Sequence, residues 1–341
     1  MLSRTLGLSL ILLIGLAGPL GSAIGQAQPQ SRPRLAPAQG QEPAKSQEPV
    51  KGQEKPQDQE EAISLGSRLV LVPLSASDAT GQPVKDLKAE DVVIEEEGKP
   101  QQVVVLGEPG KTPIDIALLF DLSASVHDQF VFQQRAATQF IKDVLKPGDA
   151  LSIFSIGIVP KMIKERTTNG EEAIASVMQL QPLKEPTAFF DSVVEAATYL
   201  EKTAASDSRR VLIVISDGDE NYSKKHGLND ALREIQKRDC LFYSINPSGE
   251  GIRLNVISLK GQNNLNAMAS QTGGLAFNLV RMETLDLVFR QIAQELQAQY
   301  LFGYYSSDER RDGGFRRLAV RVPKRSDLRI RTRQGYYAPK G

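Results

Sequence analysis

The sequence predicts an α/β fold in which a doubly wound, mostly parallel sheet is inserted between two β segments that form a small β-sandwich. Strand and helix patterns alternate across residues 114–298, as they do in a doubly wound sheet. The apolar runs at 116–120 and 211–215 are typical of parallel strands that helices cover on both faces. Residues 63–110 and 300–341 contain only short strand patterns, and each segment is too small to be stable alone.

The first 62 residues are expected to lie outside the folded part. Arg4, an apolar run at 6–16 and a small, helix-breaking stretch at 17–23 follow the order of a secretory signal. The run is too short to span a bilayer, which takes about 20 residues. We therefore predict a signal peptide at 1–25, followed at 26–62 by a disordered linker rich in Pro, Gln, Glu and Lys. The protein is expected to be exported, either periplasmic or secreted, with no transmembrane helix after signal cleavage.

The two β segments are predicted to supply the two parts of the sandwich, 63–110 the first and 300–341 the second. Strands are expected at 69–74, 92–95, 102–106, 300–305, 315–322 and 328–333. The pair Gly313-Gly314 is expected to form a hairpin turn. The first segment is rich in acidic residues and the second in arginines, so we predict charge pairs between the two segments. The acidic residues are Glu90, Asp91, Glu95, Glu96 and Glu97, and the arginines are Arg316, Arg317, Arg321, Arg329, Arg331 and Arg333.

Between these segments, residues 112–299 are predicted to form the α/β domain. Its strands are expected at 116–120, 151–156, 211–215, 241–245 and 275–279. Its helices are expected at 130–144, 173–180, 193–200, 228–237, 265–270 and 285–298, the first of them ended by Pro147-Gly148.

Charge and motif content exclude several classes of function. Lys and Arg number 41, as do Asp and Glu, so nucleic acid is not expected as a partner. The only cysteine, Cys240, lies in an apolar strand pattern and is predicted to be a buried structural thiol. The chain has no His-Glu-x-x-His zinc motif and no Gly-x-Ser-x-Gly nucleophile elbow. We therefore predict that the protein is not an enzyme.

Hydroxyl and carboxylate side chains follow the buried strands of the predicted sheet. Asp121, Ser123 and Ser125 come directly after the first of these strands, Asp217 after the second, and Thr187 lies in a loop that opens a helix. Ligands of a doubly wound sheet bind beyond the carboxyl ends of its strands. These five side chains are hard oxygen donors, which suit Mg²⁺, with Mn²⁺ as an alternative.

The composition of this predicted site favours an open coordination shell. If the three hydroxyls coordinate directly and the two carboxylates act mainly through water, the charge of the metal is only partly offset. Such a metal would favour a carboxylate from outside the chain as its sixth ligand. We therefore predict capture of an acidic group of a protein partner.

The same residues resemble the metal-ion-dependent adhesion site (MIDAS) of von Willebrand factor A (VWA) and integrin-type I domains, over about 112–300. The resemblance implies a VWA fold, a metal held by Asp121, Ser123, Ser125, Thr187 and Asp217, and a role in adhesion. The flanks resemble those of exported bacterial VWFA-related proteins of the acidobacterial type, in Asp78-x-x-Gly81-x-Pro-Val, Leu87-x-x-Glu-Asp91, Gly98-Lys-Pro-Gln101, Tyr300-x-x-Gly303-Tyr and Arg333-x-Gly335-Tyr-Tyr.

Three alternatives stay open from the sequence. Ser123, Ser125 and Thr187 could serve only as helix caps. A metal-assisted hydrolase could use the Asp121 cluster together with His127. A scaffold subunit could carry the same residues around an unoccupied metal site.

Overall fold

The computed structural model describes residues 69–123, 130–183, 185–247, 256–279 and 281–341. The strands are β1 (Leu69–Ser77), β2 (Val93–Glu96), β3 (Lys99–Gln101), β4 (Val103–Gly107), β5 (Ile114–Asp121), β6 (Ala150–Ile156), β7 (Lys161–Thr167), β8 (Arg209–Ile215), β9 (Cys240–Asn246), β10 (Ala276–Asn278), β11 (Tyr300–Tyr305), β12 (Phe315–Arg321), β13 (Arg329–Thr332) and β14 (Gly335–Tyr337). The helices are α1 (Phe130–Val144), α2 (Gly170–Gln179), α3 (Phe189–Thr203), α4 (Leu228–Lys237), α5 (Val256–Thr272) and α6 (Leu285–Ala298). The predicted signal peptide, the predicted linker, Ser125 and His127 lie outside the described residues.

The central sheet has six strands in the order β10-β9-β8-β5-β6-β7. All neighbours pair in parallel except β7, which runs antiparallel to β6. Every residue of β5 is buried, as is typical of a strand covered on both faces. The predicted α/β fold class is thereby confirmed.

Helices cover both faces of this sheet. One apolar cluster packs α1, α2 and α6 against one face, where the rings of Phe140 and Phe289 lie 5.0 Å apart. A second cluster packs α3, α4 and α5 against the other face, with Phe189 fully buried among its members. Full burial of such a side chain stabilises the fold by about 1.5–3 kcal/mol. The sheet is therefore doubly wound, as predicted.

Two four-stranded antiparallel sheets form the β-sandwich, in the orders β13-β1-β11-β4 and β14-β12-β2-β3. Strand β1 from the first segment pairs with β11 and β13 from the second, and β2 pairs with β12. A single apolar cluster joins the two sheets, with Val72, Ile94 and Phe302 among its members. The predicted pairing of the two flanking segments is confirmed, because each sheet contains strands from both.

The predicted charge pairs form in part. Arg321 contacts Glu95 and Arg317 contacts Glu97 across the β2–β12 pair. Glu96 instead accepts hydrogen bonds from hydroxyl groups inside the sandwich, and Arg331 and Arg333 pair with acids of the α/β domain. The arginines of the two β2–β12 pairs are 62% and 79% exposed, so each of these pairs contributes at most about 1 kcal/mol. The apolar cluster therefore supplies most of the stability of the sandwich.

Three sequence predictions need correction. The hairpin at Gly313-Gly314 is wrong, because β11 and β12 belong to different sheets and the Gly313 amide donates to Pro339. Strand β7 was not predicted, since its sequence is largely charged and none of its residues is buried. Helix α5 begins at Val256 rather than near residue 265, because its first turns lack an apolar stripe. No helix in the described part of the chain is long and apolar enough to cross a membrane.

Candidate metal centre

Asp121 ends β5 at the carboxyl edge of the central sheet, and its side chain is 0% exposed. Its Oδ1 accepts a hydrogen bond of 2.9 Å from the Ser123 amide. Its Oδ2 accepts one of 2.6 Å from the Ser216 hydroxyl. Both of these donors are neutral. The carboxylate is therefore held in place without a cationic side chain in these contacts.

Burial raises the pKa of Asp121 to about 6, although the hydrogen bond from Ser216 opposes the rise. The neighbouring carboxylate of Asp217 adds to it by repulsion. One pKa unit corresponds to about 1.4 kcal/mol. The charged form of Asp121 is therefore costly in the folded chain, and a cation at this position would offset that cost.

The second carboxylate, Asp217, follows β8 in a tight loop and is 7% exposed. Gly218 adopts a φ of +77° there, and its amide donates to the Ser216 hydroxyl at 3.0 Å. Helix α5 approaches the loop through Gly261, where an added Cβ would lie 2.7 Å from the Asp217 carbonyl oxygen. A side chain at Gly261 would displace the loop, so two glycines fix the position of Asp217.

Thr187 lies next to this loop and is 3% exposed. Its amide donates to Asn221 Oδ1 at 2.8 Å, and its carbonyl accepts from the amides of Asn221 and Tyr222 at 3.2 and 3.1 Å. The N-cap residue of α3 is Ala188, with no side-chain capping bond. Thr187 is therefore not the N-cap residue of α3.

Ser123 is buried beside Asp121, and the loop that holds it is tied to two neighbours. The Leu122 amide donates to the Ile156 carbonyl at 3.4 Å, and the Leu122 carbonyl accepts from Leu183 at 2.7 Å. The structure thus brings four of the five predicted residues to one edge of the sheet. Asp121, Ser123 and Asp217 lie around Ser216, and Asn221 joins Thr187 to the loop that holds Asp217. Metal coordination by these residues stays a prediction.

Ser216, Glu220 and Asn221 support the site without having been predicted to do so. Glu220 accepts hydrogen bonds from the amides of Phe190, Tyr222 and Ser223. It therefore joins the start of α3 to the Asp217 loop. The sequence signal for Ser216 was its place between a buried strand and a carboxylate, whereas nothing in the sequence pattern marks Asn221.

The side chains at this edge fit a hard cation. No three His, Cys, Asp or Glu side chains in the described part of the chain are arranged to hold a metal, so hydroxyl groups would have to complete the ligand set. Asp219 Oδ1 is buried without a hydrogen-bond partner, and burial, followed by repulsion from Asp217, raises the pKa of Asp219 to about 6. Carboxylate oxygen is a ligand that Mg²⁺ prefers.

Comparison with known proteins identifies one family. The family model of the von Willebrand factor type A domain matches residues 115–291, more than half of the 341 residues. No curated protein matches this chain.

The solved structures that are similar to this chain include the following three, each at low identity. A von Willebrand factor type A protein from Catenulispora acidiphila is 13% identical, with a TM-score of 0.45 over 68% of this chain and 50% of that one. Proximal thread matrix protein 1 of the mussel byssus, with a zinc-occupied MIDAS motif, is 15% identical, with a TM-score of 0.46 over 60% and 50%. BatB from Bacteroides thetaiotaomicron is 14% identical, with a TM-score of 0.43 over 53% and 98%. At these values the likenesses carry no conclusion about a ligand.

Proposed function

This chain belongs to the von Willebrand factor type A family, and we propose that it is an exported, non-enzymatic binding protein that uses Mg²⁺ to capture an acidic group of a protein partner. One observation carries the proposal: two buried carboxylates, Asp121 and Asp217, repel each other at the carboxyl edge of the sheet. Buried charges in proteins are ordinarily paired or bound to a metal.

Each of the five predicted residues has a proposed role. Asp121 and Asp217 provide negative charge, while Ser123, Ser125 and Thr187 provide hydroxyl oxygens. Ser216 orients Asp121 through its 2.6 Å hydrogen bond, and Asn221 fixes the Thr187 backbone. Bound Mg²⁺ would supply a Lewis-acid position open to an oxygen of the partner.

Metal binding is tested by calorimetric titration of Mg²⁺, Mn²⁺ and Zn²⁺ into the metal-free protein. We expect one site for Mg²⁺, lost when Asp121→Ala is combined with Ser123→Ala. Ser208→Ala is the matched control, because Ser208 donates to a buried aspartate at the opposite end of β5. No Mg²⁺ binding would favour the scaffold alternative, and binding that survives the double substitution would place the metal elsewhere.

Partner capture is tested with peptides that carry a Glu side chain or its Gln counterpart. We expect the Glu peptides to bind more tightly, and we expect EDTA and Asp121→Ala to remove the difference. Equal binding of both peptides in the presence of Mg²⁺ would contradict recognition through a carboxylate.

A further inference from the structure

A cavity of about 140 Å³ lies at the amino edge of the central sheet, opposite the candidate metal centre. Its floor includes the first residues of β8 and β9, Arg209 and Cys240. Its facing wall comes from the sandwich, where Leu69, Leu71 and Pro73 alternate with the residues of β1 that point into the sandwich core. Cavities between packed structural layers are common ligand sites.

The charged lining of this cavity is strongly cationic. Arg209, Arg210 and Arg333 line it, and Asp239 is the only acidic residue that does so among the described residues. Asp239 forms an ion pair with Arg333. No ion pair joins Arg209 or Arg210 to a carboxylate in the described ranges. The lining therefore holds two more positive than negative charges.

Each of these arginines has unused hydrogen-bonding capacity. Arg209 is 4% exposed and donates only to neutral groups, the Gln299 side chain at 2.9 Å and the Thr112 carbonyl at 3.2 Å. Arg210 donates to the Arg238 carbonyl at 2.9 Å. The Nε groups of Arg209, Arg210 and Arg333 are all buried without an acceptor.

Burying a guanidinium is costly, and burial lowers the pKa of Arg209 to about 10, although Tyr243 and the carboxylate of Asp149 oppose the change. A guanidinium binds carboxylates well, because its planar set of N–H donors matches the two carboxylate oxygens. An anion in the cavity would therefore lie among three guanidinium side chains, and among the described residues neither Arg209 nor Arg210 has an ion-pair partner.

The volume of the cavity and its apolar wall indicate which class of anion it could hold. A cavity of about 150 Å³ holds benzene, so this one suits a molecule of about six heavy atoms. Leu71, Pro73 and Leu301 offer an apolar surface across from the arginines. We propose that this cavity binds a short-chain carboxylate, with the carboxylate among the three arginines and the hydrocarbon chain against the sandwich.

The proposal is tested by calorimetric titration of butyrate, 1-butanol and inorganic phosphate into the full chain. Butyrate is expected to bind one site, with the other two probes at least tenfold weaker. Butanol that binds as tightly as butyrate would overturn the role of the arginines. Phosphate that binds more tightly would overturn the role of the apolar wall. No binding of millimolar butyrate would overturn the proposal altogether.

Variants connect the binding to the cavity. Arg210→Gln is expected to weaken butyrate binding at least tenfold, and Leu71→Asp, which places an acid on the apolar wall, should do the same. Arg233→Gln is the matched control, because Arg233 is an exposed arginine of α4 that does not line the cavity. Asp121→Ala should leave butyrate affinity unchanged. An equal loss in Arg233→Gln, or no loss in both cavity variants when circular dichroism shows them folded, would contradict the assignment.

Discussion

The two ends of β5 carry buried aspartates in opposite electrostatic settings. Asp115 is 1% exposed, and its Oδ1 lies 2.5 Å from the Arg166 Nε. It also accepts hydrogen bonds from the Ser208 hydroxyl at 2.7 Å and the Ala205 amide at 3.2 Å. Asp121, at the other end, receives hydrogen bonds from neutral groups and has Asp217 as a charged neighbour. One strand thus holds a carboxylate with a cationic partner, Asp115, and a carboxylate without one in these contacts, Asp121. We call them the matched and the unmatched carboxylate.

The presence or absence of a cationic partner distinguishes Asp115, a structural charge, from Asp121, a functional one. A buried charge is tolerated when the protein supplies the opposite charge close by, and Arg166 does so for Asp115. At Asp121 the described residues supply hydroxyls and a second carboxylate instead. The chain thus tolerates an electrostatic cost at the edge where a cation from solution would remove it. This contrast predicts that substitutions at the two ends have effects of opposite sign.

The largest effect is expected at the matched end. Arg166→Met should lower the free energy of unfolding by about 3 kcal/mol, because it leaves Asp115 buried without its cation. Urea denaturation of the metal-free protein measures the change. Lys164→Met is the control, since Lys164 lies on the same strand but its partner, Glu172 of α2, is 51% exposed, against 1% for Asp115, so this pair should contribute less than about 1 kcal/mol. Equal losses in both variants would mean that the Asp115–Arg166 pair has no special role.

The unmatched end should respond in the opposite direction. In the presence of a chelator, Asp121→Asn is expected to raise the free energy of unfolding at pH 7 by about 2 kcal/mol, because it removes a carboxylate whose charged form is destabilised by burial. The same substitution should abolish any stabilisation by Mg²⁺. Asp115→Asn, its counterpart, should be destabilising. A loss of stability in metal-free Asp121→Asn would contradict the comparison.

The pH dependence of this effect has a defined sign. The pKa of Asp121 is raised to about 6 in the folded chain, against about 3.9 when unfolded, so the folded state binds the proton more tightly. The favourable contribution of protonated Asp121 is complete below about pH 4 and is lost as the pH rises through about 6. The stability advantage of Asp121→Asn should therefore disappear on acidification. Urea titrations at several pH values measure it, and an advantage that stays constant would exclude Asp121 as its source.

The sequence was sufficient to predict the strands and helices that carry a clear apolar pattern. The runs at 116–120 and 211–215 marked β5 and β8, and apolar spacing placed α4 and α6 at their observed ends. Strand β7 was not predicted, because an edge strand with charged side chains has no apolar run. The pairing of β12 with β2 rather than β11 depends on contacts distant in sequence, which a glycine pair cannot reveal.

Some residues of the candidate site could likewise be predicted from the sequence, and others could not. Asp121, Ser123 and Asp217 were predictable because parallel strands bring their carboxyl ends to one edge. The supporting roles of Asn221 and Glu220 could not be predicted, because they depend on hydrogen bonds from the amides of Thr187 and Phe190, which are distant in sequence. Such bonds leave no periodic pattern in the sequence.

The smallest effect is expected from those supporting hydrogen bonds. Asn221→Ala removes the acceptor of the Thr187 amide and should lower stability by about 1 kcal/mol. Ser208→Ala, which removes a hydroxyl from Asp115, should cost a similar amount. Only Asn221→Ala should also weaken Mg²⁺ binding, by about tenfold or more, because residues that orient metal ligands affect affinity without touching the metal. Unchanged Mg²⁺ affinity in Asn221→Ala would mean that the Thr187 loop keeps its position without this bond, and that the unmatched end of β5 is held by Ser216 and the two glycines instead.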